Sequence, residues 1–376
     1  MKKTLLATAL AVGFAGAAQA QTNVTLFGVV DGGMAYTRFK YDVPGTGADV
    51  TGTKFGLEDG VQSGNRWGLR GSEDLGGGLK VLFHLESGYS LATGNSGQGG
   101  RLFGREASLA LANDSWGTLR IGRHTNFASR YAASLLAPQG DAFKESHIGA
   151  TFTSVATVRA DNLITYETPV FSGFQFGLGY SFDVDKSQAW DIKGAADTDV
   201  TMITLGLRYN NGPLAVALAY DHLDNPIPTG KDIKSWVLAG SYDFDVVKLH
   251  LGVGQDRNGV FANRNAHVAA LGGAAPLSQT QFGFISTGRY RTNNYTVGLN
   301  FPLDTGEIGV SWQSARLGSG GYKAAAQENS QNLYSARYTY PLSKRTNVYA
   351  TGLYGNGYAF NDVKVTQLIV GLRHLF

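Results

Sequence analysis

Seven histidines, His84, His124, His147, His222, His250, His267 and His374, are the side chains of this sequence best suited to move protons near neutrality. Acid–base or nucleophilic chemistry needs such a group beside a carboxylate and a nucleophile or an activated water. The histidines are instead scattered over separate segments with no paired spacing. Only His84 and Glu86 stand close, on one face of any extended strand. A plain ion pair explains them as well as catalysis would. Gly76-Gly77-Gly78 suggests a phosphate loop, but no Lys-Ser/Thr pair or helix pattern follows, so it reads as a tight turn. The sequence holds no cysteine, which excludes disulfides and cysteine-type zinc sites. Acidic loop residues lack the spaced oxygen ligands of a calcium-binding helical loop. These residues predict no catalytic centre, no cofactor and no metal site.

The elements that position them begin after residue 20. Lys2 and Lys3 form a positive start, Leu5 to Ala15 an apolar core, and Ala18-Gln19-Ala20 a small-x-small cleavage site, so residues 1–20 read as an export signal and 21–376 as the mature chain. Beyond the signal no run reaches the ~18 apolar residues of a membrane-spanning helix. The 51 glycines, 18 tyrosines and 20 phenylalanines, with only nine prolines, suit strands and aromatic girdles. Net charge falls from +3 to about +1 once Lys2 and Lys3 leave, which gives no electrostatic case for nucleic acid.

Period-two alternation recurs along the mature chain in segments of about ten residues. Sixteen strands are expected, from 24–37 and 64–72 through 79–90 and 102–113 to a last one at 365–376. Their connections alternate strictly between tight turns and long polar loops, the latter near 40–62, 91–100, 125–160, 183–199, 224–232, 257–290, 317–330 and 357–364. That alternation, with an even strand count, predicts an all-β fold: a 16-stranded antiparallel transmembrane β-barrel with turns on one rim and loops on the other. Parity assigns the faces. Lys80, His84 and Glu86 share one side of a strand whose other side is Val81, Phe83 and Leu85. Arg66, Gly68 and Arg70 oppose Trp67 and Leu69, and Leu368, Val370, Leu372 and Phe376 point to lipid while Gln367, Gly371 and Arg373 point inward. His374 reads as an anchor in the headgroup region. Tyr180, Tyr209, Tyr220, Tyr242, Trp312, Tyr338, Tyr340 and Tyr349 are expected in interfacial girdles.

Three stretches carry a family resemblance: Val24 to Asp31, Arg66-Trp67-Gly68-Leu69-Arg70-Gly71-Ser72-Glu73-Asp74-Leu75-Gly76-Gly77-Gly78-Leu79-Lys80, and Val370-Gly371-Leu372-Arg373-His374-Leu375-Phe376. They resemble the general porins of β-proteobacteria, the neisserial and Bordetella-type group, over the whole mature chain. The resemblance implies an outer-membrane, water-filled pore for passive diffusion of small hydrophilic solutes. It also implies a homotrimer among lipid and lipopolysaccharide, a third outer loop folded into the barrel, and Phe376 as the signal read by the outer-membrane assembly machinery.

Such a pore needs a narrow stretch where opposite fixed charges face each other across water. The acidic side is expected from Asp141 and Glu145 of the third loop, segment 125–160. Parity supplies Arg66, Arg70 and Arg120 for the basic side, and the resemblance favours Arg105 and Arg159. Parity by itself puts Arg105 in phase with Leu109 and Leu111, facing lipid, unless the strand bends or bulges there. The basic candidates outnumber the acidic ones, which predicts weak anion preference. Rival readings are a surface adhesin acting through loops 257–290 and 183–199, and a barrel enzyme, which the dispersed histidines disfavour.

Overall fold

The structure is a computed structural model that describes residues 23–42, 48–138, 146–185, 198–225, 231–261, 285–318 and 328–376. The alternating segments all become strands: β1 (Asn23–Asp42), β2 (Asp49–Asp59), β3 (Arg66–Gly76), β4 (Leu79–Gly88), β5 (Glu106–Asn113), β6 (Gly117–Thr125), β7 (Arg159–Glu167), β8 (Phe174–Ser181) and β9 (Thr201–Asn211). The chain continues with β10 (Leu214–Asp224), β11 (Ile233–Asp243), β12 (Lys248–Val260), β13 (Ile285–Pro302), β14 (Glu307–Leu317), β15 (Ser330–Pro341), β16 (Thr346–Asn356) and β17 (Val363–Leu375). From β3 onward each strand pairs antiparallel with the next, and β17 returns to β1 from Val29↔Leu375 to Tyr41↔Val363, closing the sheet.

Seventeen segments fill sixteen places, because β2 and β3 share the other side of β1. Asp42↔Asp49 to Gly32↔Asp59 pairs β1 with β2, and Val29↔Arg66 to Asn23↔Ser72 pairs the rest of β1 with β3. Segment 40–62, expected as a loop, is therefore mostly strand. Its glycines and charges hide the alternation of Phe55 and Leu57 with Lys54, Gly56 and Glu58, but the length of β1 supplies a ladder for it. The break between β2 and β3 is held from β1. Gly60 takes a positive φ of 58°, the Ser63 amide donates to Asp31 Oδ2 at 2.5 Å, and the Asp31 amide donates to Asn65 Oδ1 at 2.6 Å. Tyr349 from β16 donates its hydroxyl to Asp31 Oδ1 at 2.6 Å. Tyr349 is thus buried and faces inward, which corrects its expected place in a lipid-facing girdle. Its register with Gly371 and Thr339, both on inward rows, decides the side.

Faces otherwise follow parity. On β10 and β11 Leu218, Trp236, Leu238 and Tyr242 are exposed to the surround, while Ala217, Ala219, Val237 and Ala239 are buried inside. His374 is on the outer face and shares a hydrogen bond of 2.9 Å with Thr346 Oγ1.

The inner face is covered by the third long connection. It opens with a turn of π-helix (Ala128–Ala132) running into one turn of α-helix (Ala133–Leu136) and later makes two 3-10 turns, Ile148–Ala150 and Thr153–Val155. Phe127, Tyr131, Leu136, Ile148, Phe152 and Val155 pack on Ala217, Ala219, Val237 and Ala239, all inward positions. Gln313 and Gln331, from the inner faces of β14 and β15, donate to the carbonyls of Ser146 and Ala150 at 2.8 and 2.9 Å. The described parts of this loop therefore lie inside the barrel. Small alanines on the wall are what give its aromatic and aliphatic side chains room.

Candidate functional site

A belt of charge crosses the inner wall from β3 to β9. The register puts Arg66 and Arg70 of β3 beside Gly88 and His84 of β4, and His84 and Glu86 beside Ser108 and Glu106 of β5, all on inward rows. Arg120 of β6 continues the belt opposite Ala110. Glu86 takes Arg105 as a short-range partner through Nε, with Arg66 Nη1 at 3.9 Å and His84 Nε2 at 3.3 Å. Glu106 accepts from Arg120 at 3.1 Å and lies 3.4 Å from His84 Nδ1. His84 thus stands within 3.3 and 3.4 Å of two carboxylates, and its nearness to Glu86 is the contact that the sequence spacing suggests.

Arg105 settles the conflict between parity and resemblance. The β4–β5 ladder ends at Glu86↔Glu106, so Arg105 precedes the strand and alternation does not govern it. Its amide still donates to the Glu86 carbonyl at 3.1 Å while its side chain turns in to the Glu86 carboxylate. Arg70 makes no ion pair among the described residues. It stacks on Phe27, its guanidinium carbon 5.0 Å from the ring centre, and with Arg120 and His84 lines an open recess of about 300 Å³ facing the lumen.

Arg159 is not part of this group. It pairs with Thr125 at the long-loop end of β6 and β7, and its Nη1 donates to the Thr157 carbonyl at 3.3 Å. A bulge at Gly122, Arg123 and His124 separates that end from the regular ladder. Gly122 has φ +119°, and a Cβ there would run into the Ala107 carbonyl. Past the bulge, Arg123 and Arg101 converge on Asp161, each with a contact of 2.6 Å. Asp141 and Glu145 lie outside the described residues.

Sequence reasoning missed several members of the belt. Arg130, in the loop's first turn, pairs with Glu167 of β7, which also accepts the Tyr131 hydroxyl at 2.5 Å. Burial beside Glu167 pushes the Tyr131 phenol well above its ordinary range, so it stays a donor. Arg208 of β9 stacks on Tyr131 at 4.6 Å and donates to Gln175 at 2.7 Å. On the far wall Arg337 pairs with Glu307 at 2.5 Å. Parity could have found Arg208 and Arg337; nothing periodic marks Arg130, which is in a loop. Fixed charges of this kind orient water and sort ions, but the belt offers no activated nucleophile. Among the described residues no three histidine, aspartate or glutamate side chains gather as a metal site.

Comparison with known proteins decides the family. A Gram-negative porin family profile matches residues 7–358. This chain belongs to the Gram-negative porins. The porin is 45% identical to an outer membrane porin protein of Bordetella pertussis and 31% identical to outer membrane porin protein 32 of Delftia acidovorans, in both cases over 100% of each chain. Its fold is similar to that of an anion-selective porin from Comamonas acidovorans, with a TM-score of 0.69 and 26% identity over 95% of this porin and 100% of that chain. It is an outer-membrane protein that crosses the bilayer many times as a closed 16-stranded barrel, and it is a channel protein, not an enzyme.

Proposed function

We propose that this porin is a weakly anion-selective channel for passive diffusion of small hydrophilic solutes, narrowed by its third loop. The observation that carries the reading is the charge balance on the inner faces of β3 to β6 and the residue that precedes β5. Four guanidiniums, Arg66, Arg70, Arg105 and Arg120, share that sector with two carboxylates, Glu86 and Glu106. The excess positive charge faces the lumen, and ions that pass within the ~8 Å screening length at physiological salt feel it. The likeness to a porin named as anion-selective supports the same sign. Planar-bilayer recording under a potassium chloride gradient tests it: the reversal potential should favour chloride, and a cation-favouring potential would overturn the reading.

Residues 1–20 are proposed as the export signal, with the working form a homotrimer embedded in lipid and lipopolysaccharide. The second edge of β2, which carries no strand among the described residues, and the outward Phe55, 73% exposed, offer a subunit contact its surface. Phe376 is proposed as the signal for the assembly machinery. Conductance steps in groups of three, and cross-linking of the solubilised protein to trimers, are the expected results.

A further inference from the structure

Two carboxylates of the wall take no part in the belt. Asp221 of β10 and Asp256 of β12 both face inward and both register with Ser235 of β11, so the three form one row across the sheet. Thr292 of β13 stands next to Asp256 in the same row. Asp221 is 0% exposed and Asp256, Thr292 and Asn294 are each 1% exposed. The third loop seals the row. Asn126 Nδ2 donates to Asp221 Oδ2 and to the Ser154 carbonyl, both at 2.9 Å, and Ser154 Oγ is 2.9 Å from Ser235 Oγ. The Thr153 amide approaches Asp256 Oδ2 at 3.5 Å, and Asn294 Nδ2 donates to that same oxygen at 2.9 Å.

What these contacts leave over is distinctive. Asp221 Oδ1, Asp256 Oδ1, Thr292 Oγ1 and Asn294 Oδ1 are buried with no hydrogen-bond partner, and all four are oxygens. Among the described residues neither carboxylate has a lysine, arginine or histidine within ion-pair distance. Buried carboxylates without a counter-charge are costly, and a single donor would answer only one of these oxygens. A hard cation answers several at once and balances the charge, since oxygen ligands of mixed carboxylate and neutral type are what calcium takes.

We propose that Asp256, Thr292 and Asn294 hold a divalent cation of the calcium class under the third loop, with water completing its shell and Asp221, beyond Ser235, balancing the second charge. Thr153 and Asp256 are in contact, so the ion would tie the loop's 3-10 turn to the wall.

The test uses folded, detergent-solubilised porin stripped with a chelator and titrated with calcium chloride by calorimetry, with channel recordings confirming that each protein is an open barrel. One saturable site per chain is expected, at least tenfold weaker in Asp256→Asn and in Thr292→Val. Thr292→Val keeps the side-chain shape while removing one ligand oxygen, so it decides the matter should Asp256→Asn fail to assemble. No saturable site in the parent, or calcium binding at parental affinity in Thr292→Val, would overturn the proposal and leave waters or protons to fill the row. Either result leaves the porin reading intact, because conductance is read separately.

Discussion

Arg70, like Arg208, has no carboxylate partner among the described residues, so it tests the electrostatics with little interference. A unit charge about 7 Å from an ion in water contributes roughly 0.6 kcal/mol, a factor of about three in relative permeability. Arg70→Gln should therefore lower the chloride-to-potassium permeability ratio by about two- to threefold, read from reversal potentials. Arg105→Gln should act in the same direction, because it leaves Glu86 with fewer partners. A second prediction concerns pH. Burial, with Asp185 and Asp199 nearby, raises the Asp183 carboxyl to about 6. The folded loop then holds its proton more tightly than the unfolded chain, so its local stability is greatest at low pH and falls as pH rises through about 6. Protection factors of the amides over residues 181–185, with the intrinsic pH dependence of exchange divided out, should be higher at pH 5 than at pH 8, and Asp183→Asn should remove the difference. At this scale parity made Arg66, Arg70, Arg120 and the His84–Glu86 pair legible. Arg105 was legible only through resemblance, because it stands one residue outside its strand, and Arg130 was not, because loops have no period to read.

Strand connections depend on a few backbone positions that alternation does not mark. Gly122 is one: its positive φ and the Ala107 carbonyl in the path of any Cβ leave no room for a side chain. Gly122→Ala should cost roughly 1–3 kcal/mol and disturb the β5–β6 ladder beside Arg120, lowering the urea midpoint for unfolding. The β2/β3 break is another. Its hold on the barrel runs through Asp31 to Tyr349 across the closing seam. Tyr349→Phe removes a bond to a buried carboxylate and should destabilise the barrel by about 1–3 kcal/mol. The sequence read β2 as a loop because Gly52, Gly56 and the charges Lys54, Glu58 and Asp59 interrupt its pattern. Only the pairing with β1, a tertiary fact, makes that stretch a strand.

For the molecule as a whole, the alternation of tight turns with long loops fixed the barrel, since no soluble sheet needs that ordering. Closure is completed at the last residue. The Phe376 amide donates to the Gly28 carbonyl at 3.1 Å, the Gly28 amide donates back at 3.0 Å, and the Phe376 ring covers the space a Cβ on Gly28 would need. Deleting Phe376 should sharply reduce the heat-modifiable, folded fraction recovered from outer membranes while leaving synthesis unchanged. The wall so closed is uneven. β5 to β8 span only 8 or 9 residues, whereas β13 spans 18 and β1 spans 20. At about 3.4 Å per residue and a tilt near 40°, ten extra residues are about 25 Å of strand height, part of which β1 spends at the turn end, where Asn23 to Gly28 pair with β3 beyond the β17 ladder. The low lip is finished by the segment carrying Arg101 and Arg105, which turn to Asp161 and Glu86. Among the described residues the sheet therefore stands lower along β5 to β8 than along β13 and β1, like a wall with one low side. A solute entering over that side passes the paired charges of Arg101 with Asp161 and Arg105 with Glu86 before it comes level with Arg120 and Arg70 further down the wall.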